Sequence, residues 1–357
     1  MAHLIRAGLK SVVEDDDTVR VARTPPRPPV RRGMKWPILA GTALALSIGA
    51  FGWALWPRPA PHASVSAFPR DASTGSIGKP AVAQKLEFSI QTASEEQILA
   101  NTTMGVSIFR FAANPRILVL DFVSLHDQGM MLNRIGALAE KAGLPRDRVL
   151  TDAELSQAIQ SGGDNVENFY YGHDYSAATL TRFFNLADQN HIQLNAEERK
   201  LRRLLLQEGW FTPGMMMGLI SIPGVGADEH VSLEARQTIL HHELSHGEYF
   251  SNPVYAAYVH QFWRTALTQR EVDNIRKHLG VEGYDTGLDE LTENEMQAYL
   301  MFTDNPAFFT PAMVNMTPAR LAELRLQFMR GMPTTWLRDN IVGLSQPIAT
   351  PVRVIAR

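Results

Sequence analysis

The sequence predicts a mostly helical α+β domain with a small β-sheet, behind one N-terminal transmembrane helix. Three observations support this fold class. Helix-start and helix-stop signals recur between residues 126 and 331. Two short β-branched runs flank residue 113, and a 21-residue run near the N-terminus carries no charge. The chain has 357 residues, 45% hydrophobic and 20% charged, which is enough apolar material for a folded core.

Charge and cysteine content exclude several classes of protein. The formal net charge is −3, and because phosphate binding needs a basic face, we expect no nucleic-acid partner. The chain contains no Cys, which excludes disulfides, iron–sulfur clusters, thiolate metal ligands and a Cys nucleophile. A chain without Cys also suits export to an oxidising compartment.

The N-terminal 56 residues predict a tail followed by a membrane anchor. Residues 1–35 combine an acidic run with a Pro/Arg-rich stretch, which is typical of a disordered cytoplasmic tail. Residues 36–56 are uncharged, and as a helix they span about 30 Å, the thickness of a bilayer core. Eight Lys or Arg residues precede this run and two fall in the 20 residues after it. The positive-inside rule therefore predicts a single-pass protein of the cytoplasmic (inner) membrane, with its N-terminus in the cytoplasm and its C-terminal domain periplasmic or extracellular.

Two other export signals are possible in this region. Small residues at Val65-Ser66-Ala67 could form a cleavage site, although the preceding tail and apolar run are long for a signal peptide. A twin arginine at Arg31-Arg32 is followed by Lys35, where that kind of signal prefers an apolar residue. We expect a retained anchor, then a Pro/Ala/Ser-rich linker over residues 57–85 and a folded extracytoplasmic domain over residues 86–357.

Within the folded domain, a β-hairpin is predicted first and a series of helices follows. The hairpin uses the apolar runs 105–111 and 116–122. The first predicted helix spans residues 126–142 and ends at Gly143. The second begins after Thr151, which forms a capping box with Glu154, and the third begins after Ser176. Three more run from Asn195 to Gly209, from a Thr268/Glu271 capping box to Gly280, and from Thr317-Pro318 to Gly331.

One motif carries chemistry. The run His242-Glu243-Leu244-Ser245-His246 is an H-E-x-x-H sequence in a segment without helix breakers. In a helix, His242 and His246 share a face one turn apart, so both imidazoles can bind one zinc ion. Glu243 lies about 100° around the helix, where it can hold a water without binding the metal. The alternative is an ordinary helix whose histidines are structural. His241, which directly precedes the motif, is interpreted as a structural histidine of this kind.

A catalytic zinc has three protein ligands and one open position, so a third ligand is needed. A third His of the extended motif is excluded because Asn252 stands at its position. The segment 285–302 offers three glutamates, Glu290, Glu293 and Glu295.

Helical spacing favours Glu295 among the three. It lies in the middle of an apolar stripe, where a carboxylate needs a cation or several hydrogen bonds. Glu293 is predicted to face solvent. The alternative is that Glu295 caps a helix that begins at Thr292.

These residues resemble a known group of enzymes. The H-E-x-x-H motif followed by Asn294-Glu295 is similar to the gluzincin branch of zinc metallopeptidases, the group that includes thermolysin. The resemblance covers only the two motif helices. It implies a zincin-like domain with His242, His246 and Glu295 as zinc ligands and Glu243 as base. Where that group usually has an Asp supporting a ligand His, this chain has Tyr299, whose hydroxyl can take that part.

Two weaker assignments concern substrate and transition state. Leu219, Ile220, Ser221 and Ile222 precede the motif helix and are predicted to form an edge strand that pairs with an extended substrate. A buried core strand is the alternative. A donor for the developing oxyanion should be a Tyr, His or Arg. The candidates are Tyr249, Tyr284, Tyr299 and His260.

The sequence as a whole predicts a membrane-anchored zinc peptidase. Its partners are a peptide or protein substrate and the membrane bound by residues 36–56. The reaction is attack of a metal-activated water on a peptide bond, with Glu243 as general base. The alternative, from a different class, is a catalytically inactive zinc-binding or metal-free interaction domain tethered to the same membrane.

Overall fold

A computed structural model describes residues 87–342 of the chain. The predicted tail (1–35), transmembrane helix (36–56) and linker (57–85) lie outside the described residues. Within residues 87–342, no helix has the length and apolar character needed to cross a bilayer. The fold of the described part is mixed, predominantly helical with one small sheet, which confirms the predicted α+β class.

Five short strands form the sheet. They are β1 (Gln91–Ala93), β2 (Val106–Phe111), β3 (Ile117–Phe122), β4 (His173–Ser176) and β5 (Gly218–Pro223), in the spatial order β1-β2-β3-β5-β4. The predicted hairpin is confirmed, because β2 and β3 pair antiparallel. The pairs β1–β2 and β3–β5 are parallel, and β4 pairs antiparallel with β5.

The prediction that Leu219–Ile222 form an edge strand is wrong. These residues lie in β5, which is hydrogen-bonded to β3 on one side and to β4 on the other. All six residues of β5 are buried, so neither its edge nor its faces can receive a substrate. The edge strand beside it is β4, which the sequence did not indicate because it has only four residues, among them the polar His173, Asp174 and Ser176.

Ten α-helices are present in residues 87–342. They are α1 (Glu95–Leu99), α2 (Leu125–Ala139), α3 (Asp152–Ser161), α4 (Ala177–Gln189), α5 (Ala196–Gln207), α6 (Leu233–Ser251), α7 (Pro253–Ala266), α8 (Gln269–Val281), α9 (Asp289–Phe302) and α10 (Pro318–Gly331). The predicted N-caps Thr151, Ser176, Asn195, Thr268 and Thr317 are confirmed, since each side chain accepts a backbone N–H of the first turn. A cap of this kind stabilises a helix by about 1 kcal/mol.

Two predicted helix ends differ slightly from the structure. Helix α2 ends at Ala139 rather than at residue 142, because Glu140 leaves the helical conformation and Lys141 forms an isolated antiparallel bridge with Tyr284. Helix α8 continues one residue past Gly280. Shifts of this size are usual for helix ends, where hydrogen bonding is incomplete.

The sheet separates two layers of helices. Leu118 and Leu120 of β3 point to one face, where they pack with apolar side chains of α2, α4 and α5. Ile117 and Val119 point to the opposite face and pack with α6. This alternation follows from the two-residue period of a strand. A third apolar cluster joins the end of α6 to α7, α8, α9 and α10, so α6 lies between the sheet and the C-terminal helices.

Glycines bring α6 close to the sheet. A methyl group on Gly218 of β5 would lie 2.9 Å from the Cα of Gly247 in α6, and one on Gly247 would lie 2.9 Å from Ile117. Near the other end of α6, the buried Arg236 donates two hydrogen bonds of 2.8 Å to Asp121 of β3. Both contacts fix the position of α6 along the sheet.

Candidate metal centre

Helix α6 holds the two motif histidines on one face. It begins after Ser232, whose side chain accepts the Ala235 N–H, and continues past Gly247, so the motif lies well inside regular helix. The ring centroids of His242 and His246 are 4.8 Å apart. Both side chains are buried, with 2% and 0% of their surface exposed.

Helix α9 brings Glu295 to the same place. Its Oε2 is 3.7 Å from His242 Nε2, and its Oε1 is 3.9 Å from His246 Nε2. One ligand atom from each of the three residues lies within 4.8 Å of the others. Ligand atoms around a tetrahedral zinc are about 3.3 Å apart, from bond lengths of about 2.0–2.1 Å. The buried His242–His246–Glu295 cluster could therefore hold a metal ion.

The start of α9 excludes the capping interpretation of Glu295. The helix begins at Asp289 with Leu288 as its N-cap. Thr292 is already inside the first turn, where its hydroxyl donates to the Leu288 carbonyl at 3.0 Å. Glu295 is thus an interior helical residue, on the buried side that the spacing predicted.

A buried hydrogen-bond chain sets the register between α9 and α6. Gln297 donates through Nε2 to Ser245 Oγ at 3.0 Å and accepts through Oε1 from the Tyr255 hydroxyl at 2.7 Å. Ser245 in turn donates to the carbonyl of His242 at 2.7 Å. Because buried polar groups are costly to leave unpaired, this chain opposes any sliding of α9 that would move Glu295 away from the histidines.

Thr303, directly after α9, determines which nitrogen of His242 is free. The Thr303 Oγ1 lies 3.0 Å from His242 Nδ1, and its hydroxyl donates to the Ala298 carbonyl at 3.0 Å. A hydroxyl has one hydrogen, so Thr303 accepts from a protonated Nδ1. His242 then keeps the lone pair of Nε2, the atom that faces Glu295, for a metal.

Asp174 of β4 occupies the corresponding place beside His246. Its Oδ1 is 3.7 Å from His246 Nδ1. Asp174, Glu243 and His246 form a second group of potential ligand atoms that all lie within 4.8 Å of one another. Neither Asp174 nor Thr303 was predicted from the sequence to take part in the site. Asp174 of β4 lies beside Nδ1 of His246, and Thr303, directly after α9, lies beside Nδ1 of His242. The sequence predicted Tyr299 in this supporting role.

Three of the candidate oxyanion donors, Tyr299, Tyr284 and Tyr249, contact the cluster or line the cavity beside it. Tyr299 lies edge-on against the ring of His242, with centroids 4.8 Å apart. Burial raises the pKa of Glu295, and a hydrogen bond from the Tyr284 side chain is among the contacts that partly offset this effect. Tyr249, one turn beyond His246, lines the adjoining cavity.

His260 and Glu293 lie outside the cluster and depart from the sequence prediction. Glu293 was expected to face solvent, but only 3% of its side chain is exposed. Its Oε2 lies 2.5 Å from His260 Nδ1. The prediction is wrong because α9 is buried on every side from Thr292 onward. His260 is engaged with Glu293 and lines neither the cluster nor the cavity.

A cavity of about 440 Å³ adjoins the cluster at Asp174. Its walls come from β4, the start of α4, the end of α6 and the start of α9. The charged residues among its walls are Glu140, Asp174, Arg182, Asp289 and Glu290. Carboxyl groups outnumber the one guanidinium in this lining, and burial raises the pKa of two of them, Glu140 and Asp174, well above the usual range.

Burial shifts the pKa values of the acidic and the basic groups of the cluster in opposite directions. Burial, reinforced by neighbouring carboxylates, raises the pKa of Asp174 and of Glu243 well above their usual ranges, and burial raises the pKa of Glu295. Burial lowers the pKa of His242 and of His246. Both histidines are therefore neutral at pH 7, which is the form that binds metal.

The cluster contains buried polar atoms whose partners are missing from the described part of the chain. They are Glu243 Oε2, Glu295 Oε2 and both ring nitrogens of His246. Orphaned atoms of this kind are rare in proteins because each costs about 1–3 kcal/mol. Three residues contribute such atoms at one point, all of them lone-pair acceptors or imidazole nitrogens. A cation at this point could bind Glu295 and the Nε2 atoms of His246 and His242, so the donor set fits a metal.

Comparison with known proteins finds no matching protein-family model, no matching curated protein and no matching solved structure.

Proposed function

We propose that residues 86–357 form a zincin-like, zinc-dependent peptidase domain. The observation that supports this most is the convergence of His242, His246 and Glu295, with Glu243 beside them on the same helix. The donor set of two imidazoles and one carboxylate suits zinc, and it leaves a coordination position for reaction. The resemblance of the two motif helices to gluzincins supports the same conclusion.

Each residue has a distinct part in the proposed reaction. His242, His246 and Glu295 would hold the metal, with Thr303 and Asp174 orienting the two imidazoles. When bound, zinc would polarise the scissile carbonyl and make a water more acidic. Glu243 takes a proton from the attacking water and later passes it to the leaving amine. Burial raises the pKa of Glu243, which favours a group that holds the proton it receives.

The substrate of the proposed peptidase would bind beside β4. With β5 paired on both sides, an extended peptide has β4 as the available neighbouring strand at the edge of the sheet. The cavity beside Asp174 then receives one substrate side chain.

We propose further that residues 36–56 anchor this domain to the cytoplasmic membrane from outside the cytoplasm. The asymmetry of eight Lys or Arg residues before the run and two after it supports this orientation. A reporter that is active only outside the cytoplasm, fused after residue 85, should be active. Activity restricted to a cytoplasmic reporter would reverse the orientation, and a mature N-terminus close to Phe68 would replace the anchor with a cleaved signal.

One observation favours the alternative of a non-catalytic metal or interaction domain. Asp174, Glu243 and His246 form a second group of potential ligand atoms, so His246 could bind an ion outside the set of His242, His246 and Glu295. A metal held there would take Glu243 as a ligand, and Glu243 could then not act as a base.

The substitution Glu243→Gln distinguishes the two functions. In the purified full chain we expect unchanged zinc content and cleavage of a peptide library slowed by about 10²–10⁴-fold, because the amide cannot accept the proton. Glu293→Gln is the matched control, a buried glutamate outside the cluster. A wild-type chain that binds one zinc but cleaves nothing, indistinguishable from Glu243→Gln, would establish the non-catalytic alternative.

A further inference from the structure

The segment Tyr171-Gly172-His173 passes directly over Glu243. A methyl group built on the Cα of Gly172 would lie 2.0 Å from Glu243 Oε1, 2.6 Å from its Cδ and 3.0 Å from its Cγ. Real Cβ atoms essentially never approach another heavy atom below 3.0 Å. The carboxylate of Glu243 therefore occupies the space that a side chain at position 172 would fill.

The glycine is required here for space and not for backbone conformation. The φ angle of Gly172 is outside the left-handed region that favours glycine. An alanine is thus compatible with the backbone, and the three atoms nearest to its methyl group all belong to Glu243.

Hydrogen bonds on both sides of Gly172 oppose movement of its backbone. The carbonyl of Tyr171 accepts from Gln128 Nε2 at 3.0 Å. The ring of His173 contacts Ser221 Oγ at 3.0 Å through Nδ1 and Asn133 Oδ1 at 3.1 Å through Nε2. An added methyl group must therefore displace the Glu243 side chain.

We propose that Gly172 is a positioning residue for Glu243, whose carboxylate reaches its working place only because position 172 has no side chain. This inference rests on the proposed function, in which Glu243 is the base. It makes the segment that leads into β4 a second part of the reaction site, together with the motif on α6.

The first test is kinetic and uses the full chain. Gly172→Ala should keep its zinc and its KM, while kcat falls about 100-fold, the cost of misplacing a reacting group by about 1 Å. In a Glu243→Ala background neither the base nor the atoms that meet the methyl group remain, so the same alanine should cost less than about threefold. Equal losses in both backgrounds, or loss of zinc from Gly172→Ala, would overturn the proposal.

Two other glycines serve as controls. Gly218→Ala creates a conflict with the backbone of α6 rather than with Glu243, and it should lower the melting temperature whichever residue stands at 243. At Gly280 the nearest atom to an added methyl group is 3.9 Å away, so Gly280→Ala should leave kcat unchanged.

The second test does not depend on activity. In the metal-free chain, Gly172→Ala should lower the melting temperature by about 3–10 °C, the usual effect of overpacking in a domain of this size. In a Glu243→Ala background it should lower it by less than about 1 °C. If Gly172→Ala alone fails to fold, recovery of the fold by Glu243→Ala supports the contact. Additive effects, or no recovery, refute it. A wild-type chain that cleaves no peptide refutes the proposed function, while this thermal coupling still decides whether Gly172 sets the position of Glu243.

Discussion

Replacing Thr303 by valine tests how the site prepares His242 for a metal. Valine has nearly the same shape as threonine but cannot accept the Nδ1–H of His242. The hydrogen bond that is lost is 3.0 Å long, and the His242 side chain is 2% exposed, so water cannot readily replace the partner. His242 then either keeps an unpaired buried N–H or moves its proton to Nε2, where it blocks metal binding.

The size of the effect follows from these two outcomes. An unpaired buried donor costs about 1–3 kcal/mol, and each 1.4 kcal/mol is a factor of ten in affinity. Zinc affinity should therefore fall by about 10–100-fold, the range found when such supporting contacts are removed from zinc sites. The ion itself keeps the same three ligand residues.

The assay is competition for zinc between the purified full chain and a chelator of known affinity at constant pH. Thr303→Ser keeps the hydroxyl and should bind zinc almost as the wild type does. Thr292→Val is the matched control, because Thr292 is a buried threonine of α9 whose hydroxyl donates to the Leu288 carbonyl. A folded Thr303→Val chain with wild-type zinc affinity would refute the assignment of the tautomer.

Three further predictions concern the ligand set, the cavity and pH. Glu295→Ala should lower zinc occupancy at least tenfold, whereas Glu293→Ala should leave it nearly unchanged, as measured by metal analysis after dialysis; the reverse result would exchange their roles. The acidic cavity should favour substrates with a Lys over matched peptides with norleucine, and Glu290→Gln should reduce that kcat/KM preference by about 1.5–5-fold, the range of an exposed ion pair. Equal cleavage of both peptides would refute this role of the cavity. Burial lowers the pKa of His173 to about 3, below its value of about 6.5 in the unfolded chain. The unfolded chain therefore binds the extra proton first, so folding stability is lost as pH falls below about 6.5, by roughly 2–3 kcal/mol at pH 4.5. In urea unfolding, His173→Gln should lose less stability between pH 7 and 4.5 than the wild type, and an identical loss would contradict the assignment.

The local parts of this molecule were predictable from sequence because they depend on neighbours along the chain. The caps at Thr151, Asn195 and Thr268 are satisfied within four residues, and each was predicted. The face shared by His242 and His246 likewise follows from the helical repeat alone. For the same reason, the pairing of β2 with β3 was predictable from two β-branched runs and a short connection.

The supporting parts of the site were not predictable, because they come from distant segments with no periodic pattern. Asp174 and Gly172 lie about 70 residues before the motif that they contact, at the entry to a four-residue strand. Thr303 acts from just beyond the end of α9, where the helical repeat no longer applies. Leu219 and its neighbours looked like an edge strand, since sequence alone does not reveal that β4, located earlier in the chain, pairs along the side of β5 away from β3.

The burial of Glu293 explains both the success and the limit of the helical argument. Spacing placed Glu295 on the side of α9 that faces α6, and that side is where it meets the histidines. The same spacing predicts that the opposite side of α9 is exposed to solvent, as on a surface helix. Helix α9 instead lies inside the molecule, with α6 on one side and the other C-terminal helices around it. Two glutamates two residues apart are thus both buried, and their chemistry differs because of their partners. Glu293 meets one histidine that is itself half exposed, whereas Glu295 meets two fully buried histidines and no cation from the described chain. Only the second environment calls for a metal ion.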